Sequence, residues 1–81
     1  MDKVFILTEE VELSNGVRES DIIGVYAEEH VAQGVMEELI ENDDYGIIEK
    51  LGVAHKDDYS FETNWDWSGL KYDISWHNIE R

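Results

Sequence analysis

The chain has 81 residues, 20 of them Asp or Glu against 6 Lys or Arg, for a formal net charge of −14. That length excludes two ordinary domains and is read as one domain over residues 1–81. An apolar share of 42% with three Trp, four Tyr and two Phe argues against a disordered acidic chain, the lack of cysteine excludes a disulfide scaffold, and the charge disfavours phosphate backbones and anionic membranes.

Residues 3–13, KVFILTEEVEL, predict the first strand. Its start is a continuous apolar run, the pattern of a strand covered on both faces. Its end alternates, with Val11 and Leu13 on one side and Glu10 and Glu12 on the other. Ser14, Asn15 and Gly16 signal a turn, and residues 18–20 continue as a polar connection. Residues 21–27, DIIGVYA, predict a second strand that is antiparallel to the first. Gly24 in its middle points to a bulge or a close backbone approach.

From residue 28 to 42 the period becomes helical. Val31, Val35, Met36, Leu39 and Ile40 form the apolar stripe, and Gly34 is placed for close packing on the sheet. Glu28 and Glu29 suit the positive end of the helix dipole, whereas Glu37, Glu38 and Glu41 crowd the end that disfavours them. Ala27 is a poor cap. The stripe therefore specifies this helix against its own late acidic residues, and that conflict suggests another use for them.

Residues 43–58 carry the weakest pattern. Tyr45, Ile47, Ile48 and Leu51 are spaced for a short second helix ended by Gly52. Residues 53–56 lead towards the next strand, and Asp57 and Asp58 form a turn. Residues 59–79 read as a final hairpin. Tyr59, Phe61 and Thr63 alternate with polar neighbours, as do Leu70, Tyr72, Ile74 and Trp76, with Asp66 to Gly69 supplying the turn. The expected architecture is α+β, an antiparallel sheet of order β-β-α-(α)-β-β with one main helix packed on one face.

Three features of the first half occur together: the strand Lys3 to Leu13, the segment Ile23-Gly24-Val25-Tyr26, and the acidic-start helix Glu28 to Leu39. In these it resembles a group of small bacterial and phage proteins of unassigned function. The chain departs from their pattern at Ala27, where the group carries a small hydroxyl-bearing capping residue. The resemblance implies a fold and a phage or mobile-element setting. It brings no active site.

The chemical motifs are sparse. His30, His55 and His77 lie 25 and 22 residues apart, without the spacing of a zinc site. Adjacent carboxylates are frequent, as 20 acids make inevitable, so no pair marks acid–base catalysis. Asp43-Asp44-Tyr45-Gly46 lacks the alternation of a calcium loop, and the six glycines form no phosphate cradle. The reading is a protein without catalytic, cofactor-binding or metal-binding residues. Trp65, Asp66 and Trp67 cluster at a turn, either capping the core or offering an anchor to a partner.

What remains is the distribution of charge. Residues 28–58 carry net −8 of the total −14. Carboxylates on a rigid helix can stand in for the phosphates of a duplex, which bears one charge per about 1.7 Å of axis. The sequence thus predicts a cytoplasmic, non-enzymatic interaction protein, in a bacterium or an infected cell. It would bind a basic face of a partner protein as a nucleic-acid mimic or inhibitor, with no direct contact to nucleic acid or membrane. Glu37, Glu38, Glu41, Asp43 and Asp44 would form the site, with Trp67 as an anchor. The alternative is a structural or regulatory role through self-association by the edge strands of the terminal hairpin, with acidity serving only solubility.

Overall fold

Two long, apolar-rich segments at opposite ends of the chain become neighbours at the centre of one sheet. The computed structural model describes residues 2–13 and 15–79. Its elements are β1 (Lys3–Glu12), β2 (Arg18–Tyr26), α1 (Glu29–Asn42), α2 (Ile47–Leu51), β3 (Val53–Lys56), β4 (Ser60–Thr63) and β5 (Gly69–Asn78). The five strands form an antiparallel sheet of order β2-β1-β5-β4-β3. The chain leaves one edge at β2, crosses a single face as α1 and α2, and re-enters at the opposite edge as β3. The fold is α+β, with both helices on one side of the sheet.

The register explains the burial. Phe5, Leu7, Glu9 and Val11 of β1 stand opposite Trp76, Ile74, Tyr72 and Leu70 of β5. These residues share the face that the helices cover, since side chains alternate along a strand. Leu7, Val11, Leu70, Tyr72 and Ile74 are buried there, together with Ala32, Met36, Ile47 and Phe61. Val35, Leu39 and Ile40 pack against that core half-buried. Val31, expected in the stripe, is 41% exposed. The helix presents the Ala32–Met36 line instead, and Val31 lies one residue round from it.

Several sequence expectations are corrected. β1 is not covered on both faces, because the described residues place both helices on one side of the sheet. β2 begins at Arg18, so residues 18–20 are strand rather than connection. Residues 53–56 form a strand of their own, giving five strands instead of four. Asn15 and Gly16 do make the turn: Gly16 has φ +88 and donates to the Leu13 carbonyl. Ser14 lies outside the described residues. The terminal hairpin holds no sheet edge, for β4 and β5 are both interior and the edges are β2 and β3.

Two glycines make room for aromatic rings. At Gly24 both anticipated features occur: the ladder shifts register between Leu7 and Thr8, and the Tyr26 ring lies where a Cβ would stand, 2.4 Å from its hydroxyl oxygen. At Gly69 a Cβ would fall 1.9 Å from the Trp65 indole. Gly34 makes no close approach, since nothing lies within 4 Å of its Cβ position.

Candidate functional site

The conflict within α1 is visible in its ends. Glu28 is the N-cap residue and makes no side-chain cap hydrogen bond. At the other end Asp43 adopts φ 45, and its N–H donates to the Leu39 carbonyl. No basic residue sits in the last turn. Glu37, Glu38 and Glu41 are all exposed there. The four-residue spacing puts Glu37 and Glu41 on one side of the helix, while Glu38 points away from the sheet.

The predicted carboxylates do not form one free array. The Glu37 carboxylate is 3.2 Å from the Lys56 ammonium of β3. This is an exposed pair of small energetic weight, but it turns Glu37 towards that edge. Asp43 is consumed by structure. Its two oxygens accept the N–H groups of Ile48 and Glu49, each at 3.0 Å. These are otherwise unpaired donors of α2, whose own N-cap, Gly46, has no side chain to offer. Asp43 is thus half-buried, with both carboxylate oxygens turned to α2. Glu38, Glu41 and Asp44 remain exposed.

The fold adds acids that the sequence pattern did not single out. Glu19 and Asp21 of β2 pair with Val11 and Glu9 of β1, so they share the helix-covered side of the sheet. Glu9 is 9% exposed and accepts the Tyr45 hydroxyl at 3.3 Å. The Tyr45 phenol is raised above its ordinary pKa, first by burial, then by the charge and hydrogen bond of Glu9, then by Glu19 and Asp21. Tyr72 is raised further by its deeper burial, with Glu9 and Asp44 adding to it. For both tyrosines burial is the first cause, and the carboxylates at the corner after α1 add to it. Glu19 and Asp21 were missed because they fell at the boundary drawn between connection and strand. Extending β2 back to Arg18 puts both on the helical side.

The tryptophan cluster divides. Trp65 covers Gly69 and donates its indole N–H to Glu62, so it caps the sheet. Trp67 is 83% exposed. Its loop is held by Asp66, which accepts the Ser68 N–H at 2.8 Å, and by Asn64, whose amide donates to the Leu51 carbonyl at 2.9 Å. Ser68 of that loop and Tyr45, Gly46 and Ile47 line one shallow recess. Trp67 precedes Ser68 in that loop, and its ring is turned to solvent.

The histidines are dispersed. His55 contacts Asp57 at 2.9 Å and His30 lies 3.7 Å from Glu28. Among the described residues no three His, Asp or Glu side chains are grouped to hold a metal ion, and no helix is long and apolar enough to cross a membrane. Comparison with family models, with curated proteins and with solved structures finds no match to this chain.

Proposed function

We propose that the protein is a non-enzymatic acidic interaction module that docks on the basic face of a partner protein, in the manner of a nucleic-acid mimic or inhibitor. The observation that carries this reading is the exposed acid of the helical segment and of the β2 strand beside it. Glu38, Glu41 and Asp44 come from the helical segment and Glu19 and Asp21 from β2, all exposed; Tyr45 and Tyr72 are raised first by burial and then by Glu9, with Glu19 and Asp21 adding at Tyr45 and Asp44 at Tyr72. Such a surface steers a basic partner at long range. Trp67 supplies a large apolar contact, of the type that anchors interfaces. A phage or mobile-element protein working in the cytoplasm fits this role.

The test is capture from a bacterial host lysate with the wild-type chain and with the triple variant Glu38→Lys, Glu41→Lys, Asp44→Lys. Wild type should enrich nucleic-acid-binding proteins at about 0.1 M salt and release them near 1 M, where the screening length falls to about 3 Å. The triple variant should capture none of them while keeping its fold by circular dichroism. Capture that is indifferent to both charge reversal and salt overturns the proposal.

A further inference from the structure

The two edges of the sheet are unequal. β3 is four residues long, and its Lys56 and His55 are engaged, with Glu37 and Asp57 respectively. β2 is nine residues long, and Arg18 to Ile23 are all exposed. Its ladder with β1 runs unbroken from Arg18 to Ile22, where the register shift interrupts it. The hairpin fixes which backbone groups of that stretch are spare. Leu13 donates to the Val17 carbonyl at 2.8 Å, and bonded and non-bonded pairs alternate along an antiparallel ladder. Glu19 and Asp21, opposite Val11 and Glu9, are therefore the residues bonded to β1. Arg18, Ser20 and Ile22 alternate with them and turn their N–H groups and carbonyls away from the sheet.

We propose that the edge Arg18–Ile22 accepts a further antiparallel strand, an extended basic segment of the partner protein in which Lys or Arg alternates with apolar residues. This rests on the basic-partner reading above and specifies its contact. The spare groups of Arg18, Ser20 and Ile22 pair with the backbone of the incoming strand, which supplies affinity, and the alternating side chains supply selectivity. Its cations stand on the helical side, directly across from Glu19 and Asp21 at about 5 Å between Cβ atoms. Its apolar residues fall on the outer face, where Ile22 is 66% exposed.

Charge selects this occupant. Neither Glu19 nor Asp21 enters an ion pair among the described residues, so both carboxylates are available to a cation. A second copy pairing through the same stretch, centred on Ser20, would set Glu19 against Asp21 at two places. Like charges directly opposite each other destabilise a ladder. The stretch carries neither the lysine nor the proline that commonly closes a sheet edge. Its two acids close it to the chain's own β2 and leave it open to a basic strand.

The probe is a capped peptide of about seven residues that alternates lysine and valine, titrated calorimetrically into the full chain at about 0.1 M salt. It should bind, and amide exchange should slow at Ser20 and Ile22, whose N–H groups enter the new ladder. Lysines that face Glu19 and Asp21 put the valine N–H groups towards β2. N-methylation of the valines should therefore weaken binding at least about tenfold, through the loss of about three hydrogen bonds. N-methylation of the lysines keeps those bonds and should change the affinity less than about threefold. The exposed double variant Glu19→Lys, Asp21→Lys should weaken binding of the unmodified peptide at least about tenfold. A peptide that fails to bind wild type overturns the proposal. Equal binding of the two methylated peptides also overturns it, because charge alone then holds the peptide, and that result leaves the basic-partner reading standing. The basic-partner reading fails instead in the lysate capture, whatever the peptide does.

Discussion

The two faces of the sheet are made from the same strands and treated in opposite ways. On the helical side Leu7, Val11, Leu70, Tyr72 and Ile74 are buried, and the layer that covers them carries the concentrated acid. On the bare side Ile22 and Val25 are exposed, and four carboxylates stand against two cations. The difference follows from topology. The chain crosses the sheet once, between the edges β2 and β3, so it covers one face only, and the residues that cross, 27–52, hold eight acids against one lysine, net −7. Covering and charging one face are a single event in this fold.

Adjacent residues of β1 test the contrast most directly. Leu7 is fully buried and Ile6 points to the bare side. Leu7→Ala should cost about 2–5 kcal/mol, the range for a buried leucine that leaves a cavity. Ile6→Ala should cost well under half as much in the dilute monomer. Urea denaturation of both variants measures the pair. Equal losses would mean that the outer face is covered in solution and would shift Ile6 to the buried class.

Gly69→Ala probes a place where an aromatic ring lies on the bare face. The added methyl displaces the Trp65 indole, and overpacking of this kind costs about 1–3 kcal/mol. Trp65 fluorescence, isolated by Trp67→Phe and Trp76→Phe, should shift to the red as the ring enters water. An unchanged spectrum would separate Trp65 from the sheet.

Much of this was legible in the sequence, and the failures have physical causes. The alternation of Leu70, Tyr72 and Ile74 announced β5 because one of its faces is buried and the other is not. The helix period of residues 28–42 was equally plain, whereas the short helix ended by Gly52 lay in the weakest part of the pattern. β3 was not, since all four of its residues are exposed and a strand without a buried face leaves no alternation. The central place of β5 was hidden because pairing with β1 spans nearly the whole chain, and periodicity says nothing about partners. In the candidate site, Glu38, Glu41 and Asp44 were found by composition alone. Asp43 looked identical to them, because its role depends on a left-handed turn that folds its carboxylate back onto α2.

Asp43→Ala should cost about 1 kcal/mol, the usual value of a lost N-terminal cap, and should loosen α2 while removing only a half-buried, hydrogen-bonded carboxylate. Amide exchange at Ile48 and Glu49 reads this directly. If Asp43→Ala left their protection unchanged and weakened partner capture instead, Asp43 would return to the binding surface.

Asp57 offers a comparison by pH. It accepts the N–H groups of Tyr59 and Ser60 and contacts His55, and its carboxyl is lowered to about 2, chiefly by the Tyr59 N–H. A depressed carboxyl stabilises the fold above its unfolded value near 4 and loses that contribution as pH falls through about 2. Asp57→Asn should therefore lower the melting temperature at pH 7 and converge on wild type near the lower limit. A constant difference across that range would assign the turn to geometry and not to charge.

The smallest effect is expected on the crest of α1, and it is a gain. Gly34 faces open space, so Gly34→Ala removes backbone freedom from the unfolded chain without a clash and should stabilise by up to about 1 kcal/mol. A helical layer that ends in solvent gains this in full at every protein concentration. A layer that packs against another molecule meets the new methyl group there, and the gain shrinks or reverses as that contact is populated. Measured on the free chain and again with a captured basic partner, this substitution separates the part of the helical face that touches the partner from the part that only carries charge. A loss confined to the complex would extend the contact surface from the acidic corner to the middle of α1, and an unchanged gain would keep it at Glu38, Glu41 and Asp44.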